Sequence, residues 1–318
     1  MSPDGAMRTL LPSHERVVWG LAYRLTGCAA DADDVVQETF ARALERTEPL
    51  EAQAWRPWLM RVAANLAIDV LRRRRRQAYT GSWLPSPIET EAEPAANVAS
   101  PEARYAQLES VSFAFLLALE ALTPQQRAVL ILRDVFDYSG RDVGAALSMS
   151  EANVRVTHHR ARRAIRSYDG ARCIPTLALQ ERTATVLTEF VRCLQAQDVA
   201  GIETLLAVDV RTITDGGGEY TALHRPLVGA ERVARLHLQV AGHRLPGGLH
   251  TRLRLMNGLP AMVIEYGLSE RRQAPRTVLR CEVDEAGRIR ELHAVLATRK
   301  LSAVPFDAAF SEPPTRRL

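Results

Sequence analysis

Ser139-Gly140-Arg141-Asp142-Val143-Gly144-Ala145-Ala146-Leu147-Ser148-Met149-Ser150-Glu151-Ala152-Asn153-Val154-Arg155-Val156-Thr157-His158-His159-Arg160-Ala161-Arg162-Arg163-Ala164-Ile165-Arg166 is the stretch on which the reading of this chain turns. Ser139 and Ser150 are each placed to cap a helix, because a serine oxygen accepts from the free amides of a first turn. The first helix is short and ends near Leu147, and Ser148-Met149 make the turn. In the second, Val154, Ala161 and Ile165 share one side, while Arg155, His159, Arg162 and Arg166 take the other. A short helix, a tight turn and a second helix with a basic outer face form the helix-turn-helix pattern, whose second helix fits a DNA major groove. His158 falls nearer the apolar side and reads as structural.

Working outward, Thr123-Pro124-Gln125-Gln126 is a further helix start, with a capping box and proline in the first turn. Upstream, Val17, Val18, Leu21, Ala22 and Leu25 recur at helical spacing, and Gly27 closes that segment. A second helix is predicted from Asp31 to Glu45, with Val35, Val36, Phe40 and Leu44 inward and Asp33, Asp34, Gln37 and Glu38 outward. A third is predicted from Pro57 to Arg75, with Leu59, Val62, Ala63, Leu66 and Val70 inward. Its end is the run Arg72–Arg76, and five consecutive arginines cannot share one helix face, so part of the run must be exposed.

The net charge of +4 hides an uneven distribution. Residues 1–51 carry nine acids and five bases, residues 52–76 seven arginines and one acid, and residues 151–166 five arginines and one acid. Clustered bases on an otherwise balanced chain are the footprint of nucleic-acid binding. Forty of the 41 basic residues are arginine and only Lys300 is lysine, a bias we read as the mark of a GC-rich bacterial genome. No apolar run approaches a membrane span and the first residues lack a secretory pattern, so a cytoplasmic location without membrane contact is expected. The four cysteines, Cys28, Cys173, Cys193 and Cys281, have no metal-ligand spacing. No metal and no cofactor is expected.

Residues 77–106 read as a linker, with Pro85, Pro87, Pro94 and Pro101 and little apolar periodicity. Inside it lies Trp83-Leu84-Pro85, an apolar cluster that a free linker has no use for, so it is expected to dock on a neighbouring domain. Residues 177–207 read as two amphipathic helices. Strand-like stretches follow at Val210–Thr214, Thr251–Leu255, Ala261–Tyr266, Thr277–Val283 and Ile289–Leu296, with a hairpin turn at Asp284–Gly287. This part is expected to be an α+β domain, followed by a disordered tail at 302–318.

Residues 10–166 resemble a bacterial extracytoplasmic-function (ECF) sigma factor of the sigma-70 family. The resemblance is carried by Asp31–Phe40, by Trp58–Asp69 and by Leu122–Arg127 through Arg162, in the family's order. Residues 175–301 resemble the SnoaL-like (nuclear-transport-factor-two-like) domain fused to one subgroup. That likeness rests on Asp215-Gly216-Gly217-Gly218, Asn257-Gly258-Leu259-Pro260-Ala261 and the terminal hairpin at Gly287-Arg288-Ile289, and Trp83-Leu84-Pro85 matches a linker motif of the same subgroup. The expected fold is therefore multidomain, with two all-α sigma domains followed by an α+β SnoaL-like cone. The bounds expected are 8–76 for region 2, 77–106 for the linker, 107–170 for region 4, 175–301 for the SnoaL-like domain and 302–318 for the tail.

The resemblance implies roles. Asp34, Gln37 and Glu38 would dock on the basic clamp of the polymerase beta-prime subunit, and region 4 on the beta flap. Arg61, Asn65 and Asp69, at i, i+4 and i+8, would face the melted −10 element with Arg72 and Arg73, and Trp55 and Trp58 are candidates to stack on unpaired bases. Arg155, His159 and Arg160 would read the −35 duplex. Trp83, Leu84, Pro85, Asp215, Gly216 and Gly217 would make regulatory contacts between linker and C-terminal domain. Core RNA polymerase and promoter DNA are the implied partners, with no separate anti-sigma factor and a monomer when free. Two positions depart from the family, Gly144 where alanine is usual and Ser148 where glycine is usual. The subgroup's closing Asn-Pro-Asp-Lys-Leu-like motif is reduced to Lys300-Leu301. The alternative is a helix-turn-helix regulator whose C-terminal domain senses or turns over a small molecule, with His224, His237, His243, His250, His293 and Asp215 as its available acid–base groups. It leaves the acidic helix and the Asn65–Asp69 face without a use.

Overall fold

The structure, a computed structural model, describes residues 3–46, 51–77, 79–90, 109–170, 174–267 and 269–306. Most of the expected tail, and the linker beyond residue 90, lie outside the described residues. Packing divides the chain into two compact units, Met1–Ala78 with Ala99–Cys173, and Tyr79–Val98 with Ile174–Leu318.

The first unit is all-α. Helices α1 (Pro3–Thr26), α2 (Ala29–Leu44) and α3 (Trp55–Arg76) pack on one another. Val18, Leu21, Ala22 and Leu25 of α1 are buried, and Val17 is half-buried. On α2 the inward stripe is Ala29, Ala32, Val35, Val36, Thr39 and Ala43, whereas Leu44, expected inside, is 57% exposed and Phe40 is half-buried. At about 100° per residue Ala43 returns almost to the direction of Val36, while Leu44 is carried well past it. On α3 the seam is Leu59, Met60, Ala63, Ala64, Ala67, Ile68 and Leu71, and the expected Val62, Leu66 and Val70 are half-buried at its margin. Paired positions that advance by four, three of them alanine, let neighbouring helices approach closely.

The unit continues with α4 (Phe113–Ala118), α5 (Pro124–Asp134), α6 (Gly140–Leu147), α7 (Glu151–Ala164) and α8 (Arg166–Gly170). Thr123 and Gln126 form the full capping box, and Ser139 and Ser150 cap α6 and α7 through their hydroxyls. The two unusual residues of the helix-turn-helix fit together. A Cβ at Gly144 would stand 2.6 Å from the Met149 carbonyl oxygen, so the turn folds back through space that alanine would fill. Ser148 takes the left-handed conformation at φ 55°, and the Ser148 and Met149 amides both point to the Gly144 carbonyl.

The second unit places α9 (Leu177–Ala196), α10 (Val199–Leu205) and α11 (Ala230–Arg244) against a six-stranded sheet of β1 (Leu206–Asp215), β2 (Leu227–Val228), β3 (Leu249–Met256), β4 (Leu259–Tyr266), β5 (Arg276–Val283) and β6 (Ile289–Val295). The order is β2-β1-β6-β5-β4-β3, antiparallel except where β1 runs parallel to β6. Phe190, Leu187, Val210, Val233, Leu238, Met262, Leu279 and Leu292 form the core between helices and sheet. The sequence pattern missed α11, whose buried Val233, Ala234 and Leu238 are interrupted by arginine and histidine and whose N-cap, Gly229, offers no side chain.

Candidate nucleic-acid and partner interfaces

Asp34, Gln37 and Glu38 are all exposed on α2, opposite its buried stripe. Two neighbours fix the geometry of this acidic face: Trp19 Nε1 donates to Asp33 at 2.7 Å, and Arg42 pairs with Glu38 at 2.8 Å. The carboxylate of Asp33 is thus turned back toward α1, and the outward negative charge of this face lies on Asp34 and Glu38, with the neutral Gln37 beside them.

Arg61, Asn65 and Asp69 are exposed along one face of α3, followed by exposed Arg72 and Arg73, and Arg72 pairs with Asp69 at 3.1 Å. Arg72, Arg73, Arg75 and Arg76 are exposed, as expected of part of the run, while Arg74 turns inward. It donates to both oxygens of Glu120 at 2.7 and 2.8 Å and to the Thr26 carbonyl at 2.9 Å. Glu120 also receives Arg127, which is only 2% exposed and donates further to the Leu25 and Leu119 carbonyls. Burial alone would raise the Glu120 carboxyl, but the charges and hydrogen bonds of Arg127 and Arg74 outweigh it and hold the group below its ordinary value. Asn65 donates to the Arg61 carbonyl and, at 3.1 Å, to the Ala146 carbonyl of α6. Of the two tryptophans proposed for base stacking, Trp55 is buried and unavailable to a base. Trp58 is half-buried, edge-on to Trp55 and beneath the Arg46 guanidinium.

On α7, Arg155, His159 and Arg160 are exposed, and Val154 and Ala161 are buried beneath them. His158 and Arg162 both pair with Asp134 at 2.8 Å, which anchors the recognition helix on α5.

In the second unit the sequence places one dense polar centre. Asp215, at the end of β1, is 1% exposed. Its carboxylate accepts from Tyr79 Oη at 2.5 Å, the Leu84 amide at 2.7 Å, the Gly217 amide at 3.0 Å and the Lys300 ammonium. Lys300 is 4% exposed, also donates to the Leu84 carbonyl, and lies 4.3 Å from the Trp83 ring centroid and 4.7 Å from that of Tyr79. Leu84 and Pro85 are buried and Trp83 is half-buried. The glycines after Asp215 are required by contact. A Cβ at Gly216 would stand 2.6 Å from the Tyr220 carbonyl oxygen, and one at Gly217, at φ 59°, would stand 2.8 Å from the Ala297 Cβ. From this centre residues 84–90 run to the other edge of the sheet, where the backbones of Ile88 and Thr90 bond Asn257 and Leu255, and Glu89 pairs with Arg254 at 2.9 Å. The first part of the expected linker is thus built into the C-terminal unit.

The candidate acid–base groups do not converge. His237, on α11, meets Thr212 Oγ1 at 3.0 Å and the edge of the Phe190 ring, and enclosure pushes its imidazole down to about 4. His293 lies on the opposite sheet face beside Glu291 and Arg280, and His224 and His243 are exposed. Sequence reasoning missed Tyr79, Arg74, Glu120 and Arg127. Lys300, singular among arginines, is what is left of the reduced closing motif, and it makes the contact with Asp215 and the Leu84 carbonyl.

Family models match two segments, Sigma-70 region 2 at residues 10–77 and Sigma-70, region 4 at residues 112–165. The chain is 33% identical over 244 residues to the ECF RNA polymerase sigma factor SigJ of Mycobacterium tuberculosis, covering 75% of this chain and 74% of that one. It is 30% identical over 270 residues to SigG of the same species, covering 78% and 70%. The crystal structure of M. tuberculosis SigJ superposes with a TM-score of 0.66 at 28% identity, covering 93% of this chain and 98% of that chain. The helix-backed mixed sheet of the second unit is of the SnoaL-like type.

Proposed function

Because this chain belongs to the ECF RNA polymerase sigma factors, which bind core enzyme and direct it to promoters, we propose a division of labour among its surfaces. Asp34, Gln37 and Glu38 meet the basic clamp of the beta-prime subunit, and the region 4 helices meet the beta flap. The α3 face of Arg61, Asn65, Asp69, Arg72 and Arg73 holds the melted −10 strand, arginine on phosphates and amide or carboxylate on base edges. Arg155, His159 and Arg160 enter the −35 major groove. The domain bounds follow the same division, except that residues 79–90 act with the C-terminal unit.

We infer that the SnoaL-like domain regulates in cis. The observation that carries this is the Asp215–Lys300 centre, which fixes Trp83-Leu84-Pro85, the start of the segment joining the two promoter-reading halves. A covalently attached regulator acts at high effective concentration, so a separate anti-sigma factor is not needed. The domain is read as non-catalytic, since Asp215 is engaged by four donors and the histidines are dispersed. The protein is read as a cytoplasmic monomer when free, and no described helix is long and apolar enough to cross a membrane.

Run-off transcription with core polymerase tests the reading, using the full chain and a chain cut after residue 170. Core-dependent initiation that differs between the two is expected. Equal initiation would remove the cis-regulatory role, and duplex binding without core would favour a plain helix-turn-helix regulator. Trp83→Ala should change promoter output in the full chain.

A further inference from the structure

Just before Trp83, the second unit encloses a small polar cavity of about 110 Å³. Thr80 and Gly81 form one wall, Gly218 and Thr221 of the loop after β1 form another, and His224 and Arg272 stand exposed at the mouth. Gly81 and Gly218 both take positive φ, at 81° and 78°, so main chain rather than side chain meets the space there. A Cβ on Gly218 would meet Thr80 Oγ1 at 3.6 Å, which puts that hydroxyl directly against the loop. The Thr221 amide donates to the Arg272 carbonyl at 2.8 Å and ties the loop to the turn Glu270–Gln273.

Arg272 is the third residue of that turn and stands at φ 68°, in the left-handed region where glycine or asparagine is the usual choice. Strain of this kind collects where a site needs a group held in a fixed place. The neighbouring carboxylates are committed elsewhere. Asp215 is held by Lys300 and Tyr79, Glu219 accepts from the Thr298 amide at 3.3 Å, and Glu270 accepts from the Gln273 side chain at 3.4 Å. Among the described residues, no carboxylate pairs with Arg272 or His224. The mouth is therefore cationic and the walls carry hydroxyl donors. Pockets for drug-sized molecules begin at about 300 Å³, so a space of this size takes a single small oxyanion.

We propose that this cavity binds a small phosphoryl anion, either inorganic phosphate or the phosphoryl end of a phosphorylated metabolite. Arg272 supplies forked, charge-assisted donors, and His224 and the Thr80 and Thr221 hydroxyls supply the rest. One anion then bridges the first residues of the linker to the loop after β1 and to the 270–273 turn, and so pins the linker where it enters the Asp215–Lys300 centre. The site stands whether or not the domain regulates transcription, because binding is measured without polymerase or DNA.

The test is calorimetric titration of the full-length chain with inorganic phosphate, in a phosphate-free amine buffer at ionic strength fixed with sodium chloride. Saturable one-to-one binding is expected. Arg272→Gly should weaken it by about tenfold or more, and because glycine suits φ 68° the melting midpoint without phosphate should not fall. Thr80→Val removes the donor on the linker side and should weaken binding as well. Hydrogen exchange at the Thr80 and Gly81 amides should slow when phosphate is added, a change that general screening of surface charge would not produce. Glycerol 3-phosphate separates the two sources. Binding of both ligands assigns the site to the phosphoryl end of a monoester, and binding of inorganic phosphate alone assigns it to the free anion. Heat that chloride reproduces overturns the proposal. So does affinity that survives both substitutions, or binding that leaves exchange at Thr80 and Gly81 unchanged.

Discussion

Each unit has a cation–carboxylate centre that ties segments far apart in the sequence, and the two centres use different cations. In the first unit Arg74 and Arg127 share Glu120, and each guanidinium spends its remaining donors on main-chain carbonyls of another helix end. In the second a single lysine, alone among 41 basic residues, meets Asp215 and one carbonyl inside a cage of two aromatic rings. Arginine is planar and forked, so it suits a site that several carbonyls approach from different directions. Lysine is a compact charge, so it suits a narrow site walled by π-faces. The arginine bias of this chain thus yields where a narrow aromatic cage leaves no room for the fork.

The largest effect is expected at the lysine. Lys300→Met leaves Asp215 buried without its cation, which costs about 3–5 kcal/mol in a pair of this kind. Lys300→Arg should not restore the loss. Hydrogen exchange at the Leu84 amide, which donates to Asp215, is the local readout, and both variants should expose it. Full protection in Lys300→Arg would break the argument that the cage selects lysine.

Much of this was legible in advance, and the failures share a cause. Capping chemistry is local, so Thr123, Ser139 and Ser150 were readable, as was the outward direction of Asp34, Gln37 and Glu38. Trp83 and Asp215 were readable because an apolar cluster in a polar linker and an Asp-Gly-Gly-Gly turn are both odd in isolation. Lys300 lies 85 residues from Asp215 and Glu120 lies 46 from Arg74, and nothing local announces either partner. Leu44 and Val62 were misplaced because a helix pattern gives a stripe's existence before its exact rotation.

Acid should separate the two units. The His237 imidazole is held down at about 4 against an ordinary 6.5, so between those values the unfolded chain binds a proton that the folded chain refuses. Stability from this source is fully present above pH 6.5 and lost as the pH falls to about 4, up to about 3 kcal/mol before allowance for the ring's residual exposure. Glu120 acts in a lower window. Its carboxyl is depressed below 4.5, so the stability it confers is present above that value and declines only as the pH falls beneath it. Urea unfolding at pH 7 and pH 5 should weaken the second unit selectively, and His237→Phe should flatten the dependence. Equal weakening of both units would remove His237 as the cause.

The helix-turn-helix offers a smaller and more local pair of effects. Gly144→Ala gains helix propensity of about 1 kcal/mol but drives a Cβ into the Met149 carbonyl, and overpacking of this kind costs about 1–3 kcal/mol. Net destabilisation is expected because the obstructing atom is backbone and cannot rotate aside.

Ser148→Gly should act in the opposite direction. At φ 55° a serine bears the left-handed penalty of about 1–2 kcal/mol that glycine escapes, while glycine gives the unfolded chain more freedom and returns about 0.4–1 kcal/mol of that gain. The net gain is about 0.5 kcal/mol, read as a raised melting midpoint of the first unit. Combined with Gly144→Ala it should rescue little, because the serine's penalty is torsional and the alanine's is a collision with the next residue's carbonyl. Full rescue would mean that the turn can move as a whole, and that Gly144 yields to Met149 only because Ser148 holds it there.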